Sequence, residues 1–401
     1  MKKIRIGLIS HLVKDFNLGC SALAISNIKL MDEVFNQYGI NVEYVVILAQ
    51  PKEDIDLKEY TSLEGITKNK FIYRTYPRLK PILKNPSLLS KTKAFEDCDF
   101  IINLCGGDGY TDNYGLIRLM AESVPVYGSK KKQTPIIFAP QTIGPFNTTI
   151  GKFIAKQTLQ NLKVLFVRDK ASYDCCKELK LNDDIIQVID VAFALPFEKV
   201  DKKGSKFKIG INVSGLLYSG GYNRNNYFGL SFSYSEFIKK LLDILVKNDK
   251  VEVHLIPHVI SDKVEVEDDY RACEKLSKEY PKCILAPKFK TATEAKSYIS
   301  GMNLFSGARM HATIAATSSG VPVIPVAYSR KFNGLYDTLE YPYYIDAKAK
   351  ITCEEAINKF MEYLNDIDKL EDGIQRAESI YKVELEKYKK KMREVFKLEE
   401  I

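Results

Sequence analysis

The 401-residue chain has no run of about 18 apolar residues, so no membrane-spanning helix is expected. Its start, MKKIRIGLISHLVKDF, lacks both a long apolar stretch and a small-residue cleavage site, and reads as a first strand rather than a secretion signal. None of the eight cysteines forms a CxxC pair, and Cys175 and Cys176 are adjacent. Neither a disulfide framework nor a zinc site follows, and reduced thiols in the cytoplasm are the simplest reading. No zinc-finger spacing or RNA-binding aromatic motif accompanies the net charge of +8, which argues against nucleic acid as a partner. No GxGxxG opens the first helix, leaving an NAD-linked oxidoreductase without support. Internal repeats of about 20 to 50 residues are also missing.

What is present is an ordinary globular composition, 45% hydrophobic and 27% charged, in a chain long enough for two domains with separate cores. Apolar segments at 4–10, 42–48, 100–104, 135–146, 164–174 and 185–195 alternate with helical spacing, the signature of a mostly parallel sheet covered on both faces. Residues 49 to 90 read as a polar, proline-containing irregular region. The charged run PFEKVDKKGSK (196–206) reads as a linker, and the αβ rhythm restarts at FKIGINVS (207–214). The expected fold is therefore α/β, with two Rossmann-like domains at 1–196 and 205–372 facing a cleft in a GT-B-like layout. A final amphipathic helix (373–401), with Tyr381, Leu385, Tyr388, Met392 and Val395 at spacings of three and four, is expected to pack back across the domains. Its basic cluster at 387–393 reads as a solvated face, with anionic lipid at the inner face of the membrane as the second reading.

The stretch NLFSGARMHATIAATSSGVPVIPVAYS (303–329) places Arg309, Met310 and His311 where a helix begins, just past the end of a strand. Ligands of open α/β sheets bind there, and the exposed N–H groups of a helix start favour anions. Other strand-end positions with ligand potential are Gly19, Gly107, Asp108, Asp112, Arg168, Ser214 and His258. Asp108 and Asp112 read equally well as caps. His11 and His254 read as structural. The segment GLLYSGGYNRNNYFGLS (215–231) reads as a binding loop.

The segments CGGDGYTDNYG, APQTIGPF, FVRDKASYD and SGARMHATIAATSSGVPVIPVAYSRKFNGLYDTL, supported by IPHV and NLGCSAL, resemble the polysaccharide pyruvyl transferase family over about residues 5 to 345. The resemblance implies a GT-B-like fold and transfer of the enolpyruvyl carbons of phosphoenolpyruvate to two sugar hydroxyls, giving a pyruvate ketal and phosphate. The acceptor would be a sugar, an oligosaccharide or a lipid-linked glycan. No further cofactor or metal is implied. Many members carry an acidic residue in the first βα turn, where this chain has Cys20.

Such a donor brings a phosphate and a carboxylate, and the planar fork of arginine suits both. Arg309 is the expected first anchor and Arg168 the second, with the second domain on the donor side and the first on the acceptor side. Protonation of the donor methylene would create an oxocarbenium-like centre for one hydroxyl, and a second hydroxyl would displace phosphate. His311 is the candidate acid, and Asp108 or Asp112 the candidate base. A nucleotide-sugar glycosyltransferase and a non-catalytic glycan-binding relative are the alternatives. Neither the acceptor sugar nor the oligomeric state follows from the sequence.

Overall fold

The computed structural model describes residues 3–51, 56–107, 109–181, 184–202 and 204–398. It contains two compact units, one formed by Met1–Lys14, Leu23–Ala194 and Glu384–Ile401, the other by Asp15–Ala22 and Leu195–Val383.

In the first unit the strands are β1 (Lys3–Ile9), β2 (Asn41–Ala49), β3 (Lys70–Tyr76), β4 (Phe100–Asn103), β5 (Ile136–Gln141), β6 (Val164–Val167) and β7 (Ile185–Gln187). They form one parallel sheet in the order β3-β2-β1-β4-β5-β6-β7. The central strands are buried along nearly their whole length, as parallel strands covered on both faces must be. β3 falls in the stretch expected to be irregular. Its sequence KFIYRTY pairs in register with β2, but most of its side chains are partly or fully exposed at the sheet edge, which hides the apolar signal. The segment 185–195, expected as one strand, stops at Gln187 and turns into a short 3-10 helix at Val191–Ala194. The Asp190 carboxylate accepts from the Ala192 N–H and bends the chain there.

In the second unit the strands are β8 (Phe207–Asn212), β9 (Val251–Leu255), β10 (Ile284–Leu285), β11 (Leu304–Gly307), β12 (Val323–Ala327) and β13 (Ile345–Asp346). All pair in parallel, in the order β10-β9-β8-β11-β12-β13. This is the Rossmann order, with the direction of winding reversing between β8 and β11. Ile209, Ile211, Leu255, Leu304 and Val326 pack with Leu241, Leu242 and Phe360 in its core. Thr352 and Glu355 close a reciprocal capping box, while Ser233 and Thr291 cap their helices through the N–H three residues on.

Three assignments differ from the sequence expectation. Asp15–Ala22 groups with the second unit, because Ile260 donates to the Phe16 carbonyl, Asn17 bridges Val259 and Leu18 donates to the His258 carbonyl. The expected linker at 196–206 is fastened at its start. Lys296 donates to the Leu195 carbonyl at 2.8 Å, and the hydroxyls of Ser297 and Ser300 accept from Glu198 and Val200. Burial draws the Lys296 amine down to about 7. The long helix Ile367–Val395 begins earlier than expected, and its residues from Glu384 onward group with the first unit. There Tyr388 is buried and donates to Asn27 at 2.7 Å.

That contact belongs to a buried chain around His11. His11 Nδ1 lies 2.9 Å from the Ile9 carbonyl and Nε2 lies 2.9 Å from the Asn27 amide nitrogen. The neutral ring satisfies both, Nδ1–H donating and Nε2 accepting, whereas an imidazolium would turn an N–H towards the Asn27 amide donor. Burial accordingly lowers the pKa from 6.5 to about 4, with the Ile9 carbonyl opposing. The unfolded ring takes up its proton first, so this stabilisation is complete above pH 6.5 and drains as the pH falls towards about 4. From this group alone, unfolding free energy should drop by about 2 kcal/mol between pH 7 and pH 5. Urea denaturation at the two pH values checks this, and His11→Gln should remove that part of the slope.

Candidate functional site

The second unit builds a polar centre at the C-terminal ends of β8 and β11, where the winding of its sheet reverses. Asn212 closes β8 and pairs with Gly307, the last residue of β11. Its side-chain oxygen accepts the Arg309 N–H at 3.0 Å, and its amide donates to the Ile256 carbonyl and to Asp269. Arg309 thereby becomes the N-cap residue of the helix Met310–Ser318, which places Met310 and His311 in its first turn.

Asp269 is the hub of this centre and is fully buried. Its carboxylate accepts from the backbone N–H groups of Gly215, His258 and Val259 at 2.8, 3.1 and 3.0 Å. It also grips Arg309 through Nη2 at 2.8 Å and Nε at 3.1 Å. The Glu267 carbonyl takes a further bond from Nη2. Burial alone would lower the Arg309 pKa, but the Asp269 charge and hydrogen bonds outweigh it, so the net shift is upward. One guanidinium edge is thus locked, while Nη1 donates to no described residue.

His258 lies beside this guanidinium. Its ring is buried and makes no hydrogen bond to any described residue. Burial, reinforced by His311 and Arg309, lowers its pKa to about 3, so the ring is neutral at working pH. Glu267 accepts from the Tyr222 hydroxyl. Asp15, whose carboxylate accepts from the Asn17 N–H, has its pKa raised by burial and secondarily by the Glu267 charge.

Gly19 opens the helix Leu18–Asn36, its N–H bonded to the Asn17 side chain. A Cβ at Gly19 would stand 2.3 Å from His311 Nδ1, so the glycine leaves the space that the imidazole occupies. Gly19→Ala should displace His311 and lower turnover at least tenfold with a small change in melting temperature. Activity assay and thermal denaturation of the same preparation check this.

Six residues expected at the site, Gly19, Ser214, His258, Arg309, Met310 and His311, fall in the second unit. Ser214 caps the short helix Gly215–Tyr218, accepting from the Leu217 N–H. Gly107, Asp112 and Arg168 belong to the first unit, and Asp108 lies outside the described residues. The Arg168 guanidinium is buried in an ion pair with Asp190 at 2.6 Å, and Nε donates to Thr142. Thr142 in turn donates its N–H to the Gly107 carbonyl. Asp112 accepts from the Asn147 and Thr148 N–H groups and the Thr148 hydroxyl at 2.7 to 2.8 Å. Burial would raise its pKa, but these bonds prevail and lower it. The engagement favours the capping reading of Asp112, and the helix it supports is Thr149–Leu159 rather than the one that follows it in sequence. Asn212, Glu267 and Asp269 join the site without a sequence signal that singles them out. Asp268-Asp269 before a helix carries only a capping signal, and nothing local distinguishes a cap from a hub.

A comparison with curated proteins finds no match. Among solved structures the chain is similar to S. aureus MnaA in complex with UDP (12% identity, 99% of this chain and 98% of that one, TM-score 0.60). It is also similar to a UDP-N-acetylglucosamine 2-epimerase (13% identity, 95% of each chain, TM-score 0.56). A third is an E. coli trehalose-6-phosphate structure bound with UDP-2-fluoro glucose (10% identity, 99% of each chain, TM-score 0.56). At these identities the likeness establishes the fold, α/β of the GT-B type with two Rossmann-like units. The Arg-Met-His turn and its supporting strands lie inside residues 17–330, which match the family model of polysaccharide pyruvyl transferases, and the chain belongs to that family.

Proposed function

We propose that the protein transfers the enolpyruvyl carbons of phosphoenolpyruvate to two hydroxyls of a sugar in a polysaccharide or its precursor, forming a pyruvate ketal and releasing phosphate. The observation that carries this reading is the Arg309 guanidinium at a helix start, clamped on one edge by Asp269 and leaving Nη1 without a partner among the described residues. A fixed cation beside oriented helix N–H groups suits a small dianion. The neutral His258 ring, with no partner among the described residues, supplies a further hydrogen bond to the phosphate or the carboxylate.

Within this reading His311 delivers the proton to the donor methylene, and one sugar hydroxyl attacks the resulting oxocarbenium-like carbon. The second hydroxyl then displaces phosphate. Asp15, whose pKa is raised by burial and which lies in the same unit, joins Asp108 and Asp112 as a candidate for the acceptor proton. Arg168 and Gly107 remain proposed contacts of the first unit. No metal is required by these steps. The eight free cysteines suit a reducing compartment such as the cytoplasm. No helix among the described residues is long and apolar enough to cross a membrane.

The test is NMR of phosphoenolpyruvate with a panel of acceptor glycosides. Loss of the vinyl protons, a new ketal methyl signal and release of phosphate are expected together. Stable vinyl signals across the panel, with a nucleotide sugar consumed instead, would overturn the reading.

A further inference from the structure

The segment 215–231, expected as a binding loop, gives the Arg309 centre only the Gly215 N–H and the Tyr222 hydroxyl. It folds with the residues up to Ser235 around a cavity of about 470 Å³ in the second unit, within the size range of small-molecule pockets. Tyr218, Tyr227 and Phe228 supply aromatic surface, and Tyr227 is 55% exposed although it stacks edge-on against Tyr222 and Phe228. Ring faces open to solvent in this concave surface are free to stack against a ligand.

The polar groups around the cavity point the same way. The hydroxyls of Ser219, Ser231 and Tyr218, the Asn225 side-chain amide and the Arg224 guanidinium make no hydrogen bond or ion pair to any described residue. Arg224 is the only charged side chain among the described residues that line it, so neither a cation nor a polyphosphate is matched. Uncharged donors and acceptors beside aromatic faces match a pyranose ring, which presents hydroxyls at its edge and C–H bonds on its face. The loop is also tied to the donor seat. Tyr222 donates to the Glu267 carboxylate, and the Glu267 carbonyl accepts from Arg309.

We infer that this cavity, in the second unit and not in the first, the acceptor side expected from the sequence, is a carbohydrate subsite holding a sugar unit of the acceptor glycan beside the Arg309 centre. The role as acceptor subsite rests on the proposed transfer to a sugar, whereas binding itself can be tested alone. Saturation-transfer difference NMR of the full chain, without phosphoenolpyruvate, would use methyl β-glycosides of glucose, galactose, mannose and N-acetylglucosamine, with cellobiose and lactose as longer probes. Saturation of ring protons is expected for at least one probe, larger for a disaccharide than for a glycoside. Tyr227→Ala should weaken that binding at least tenfold, and Ser231→Trp, which fills the cavity, should abolish it, with near-UV circular dichroism confirming that both variants are folded. No transfer to any probe, or transfer unchanged in both folded variants, overturns the subsite. Consumption of phosphoenolpyruvate with a glycoside that ignores both substitutions would do so too, while leaving the transfer reading intact. Sugar binding that responds to both substitutions without any consumption supports the subsite and counts against the transfer.

Discussion

Arg309→Gln should lower phosphoenolpyruvate turnover by roughly 100-fold or more, the scale found when one well-placed donor to developing negative charge is removed. The effect should appear in both KM for the donor and kcat, because the guanidinium binds the anion before reaction and stabilises the leaving phosphate during it. Arg309→Lys should recover little. The ammonium keeps the charge but cannot hold Asp269 through one edge and offer a second edge to the ligand. His311→Gln should behave differently, with kcat falling on the order of 10² to 10⁴ and KM changing little, as expected for loss of a proton donor. Steady-state kinetics of phosphate release separate the two patterns, and unchanged kinetics for either variant would remove that residue from the mechanism.

The second large effect concerns stability. Asp269 is fully buried and accepts from three backbone N–H groups, the Asn212 amide and Arg309. Asp269→Asn keeps the shape but removes the charge that balances Arg309 and turns an amide NH2 towards groups that are themselves donors. Breaking a buried pair from one side costs about 3 to 5 kcal/mol. Arg309→Met should cost less, because Asp269 retains its other donors. The double variant Asp269→Asn, Arg309→Met should therefore be less destabilised than the sum of the two, while activity stays lost. Chemical denaturation of the four proteins provides the cycle, and simple additivity would show that the pair is not a coupled unit.

Much of the fold is legible in the order of residues alone, because buried parallel strands are nearly continuous apolar runs and amphipathic helices repeat every three to four residues. The stretch 303–329 is the clearest case. Its small residues and Gly320 announce strand, turn and helix, and the helix does start at Met310. β3 escapes that pattern for the complementary reason: most of its side chains face solvent at a sheet edge, and its identity comes from pairing with β2 rather than from apolar content.

The functional centre divides along a similar line. Residue order alone determined that Arg309, Met310 and His311 stand at a strand-to-helix turn, because that follows from local hydrophobic pattern and turn chemistry. Only the tertiary structure decided what holds them. Asn212, His258 and Asp269 converge on Arg309 from the ends of β8 and β9 and from a helix start, and Gly19 makes room for His311 from a segment near the N-terminus. Asp112 and Arg168 look equally available in the sequence, yet Asp112 is engaged by Asn147 and Thr148 and Arg168 is paired with Asp190. Local pattern encodes which way a backbone runs. Which carboxylate neutralises which guanidinium depends on strand order and register, which bring residues far apart in sequence within hydrogen-bonding distance.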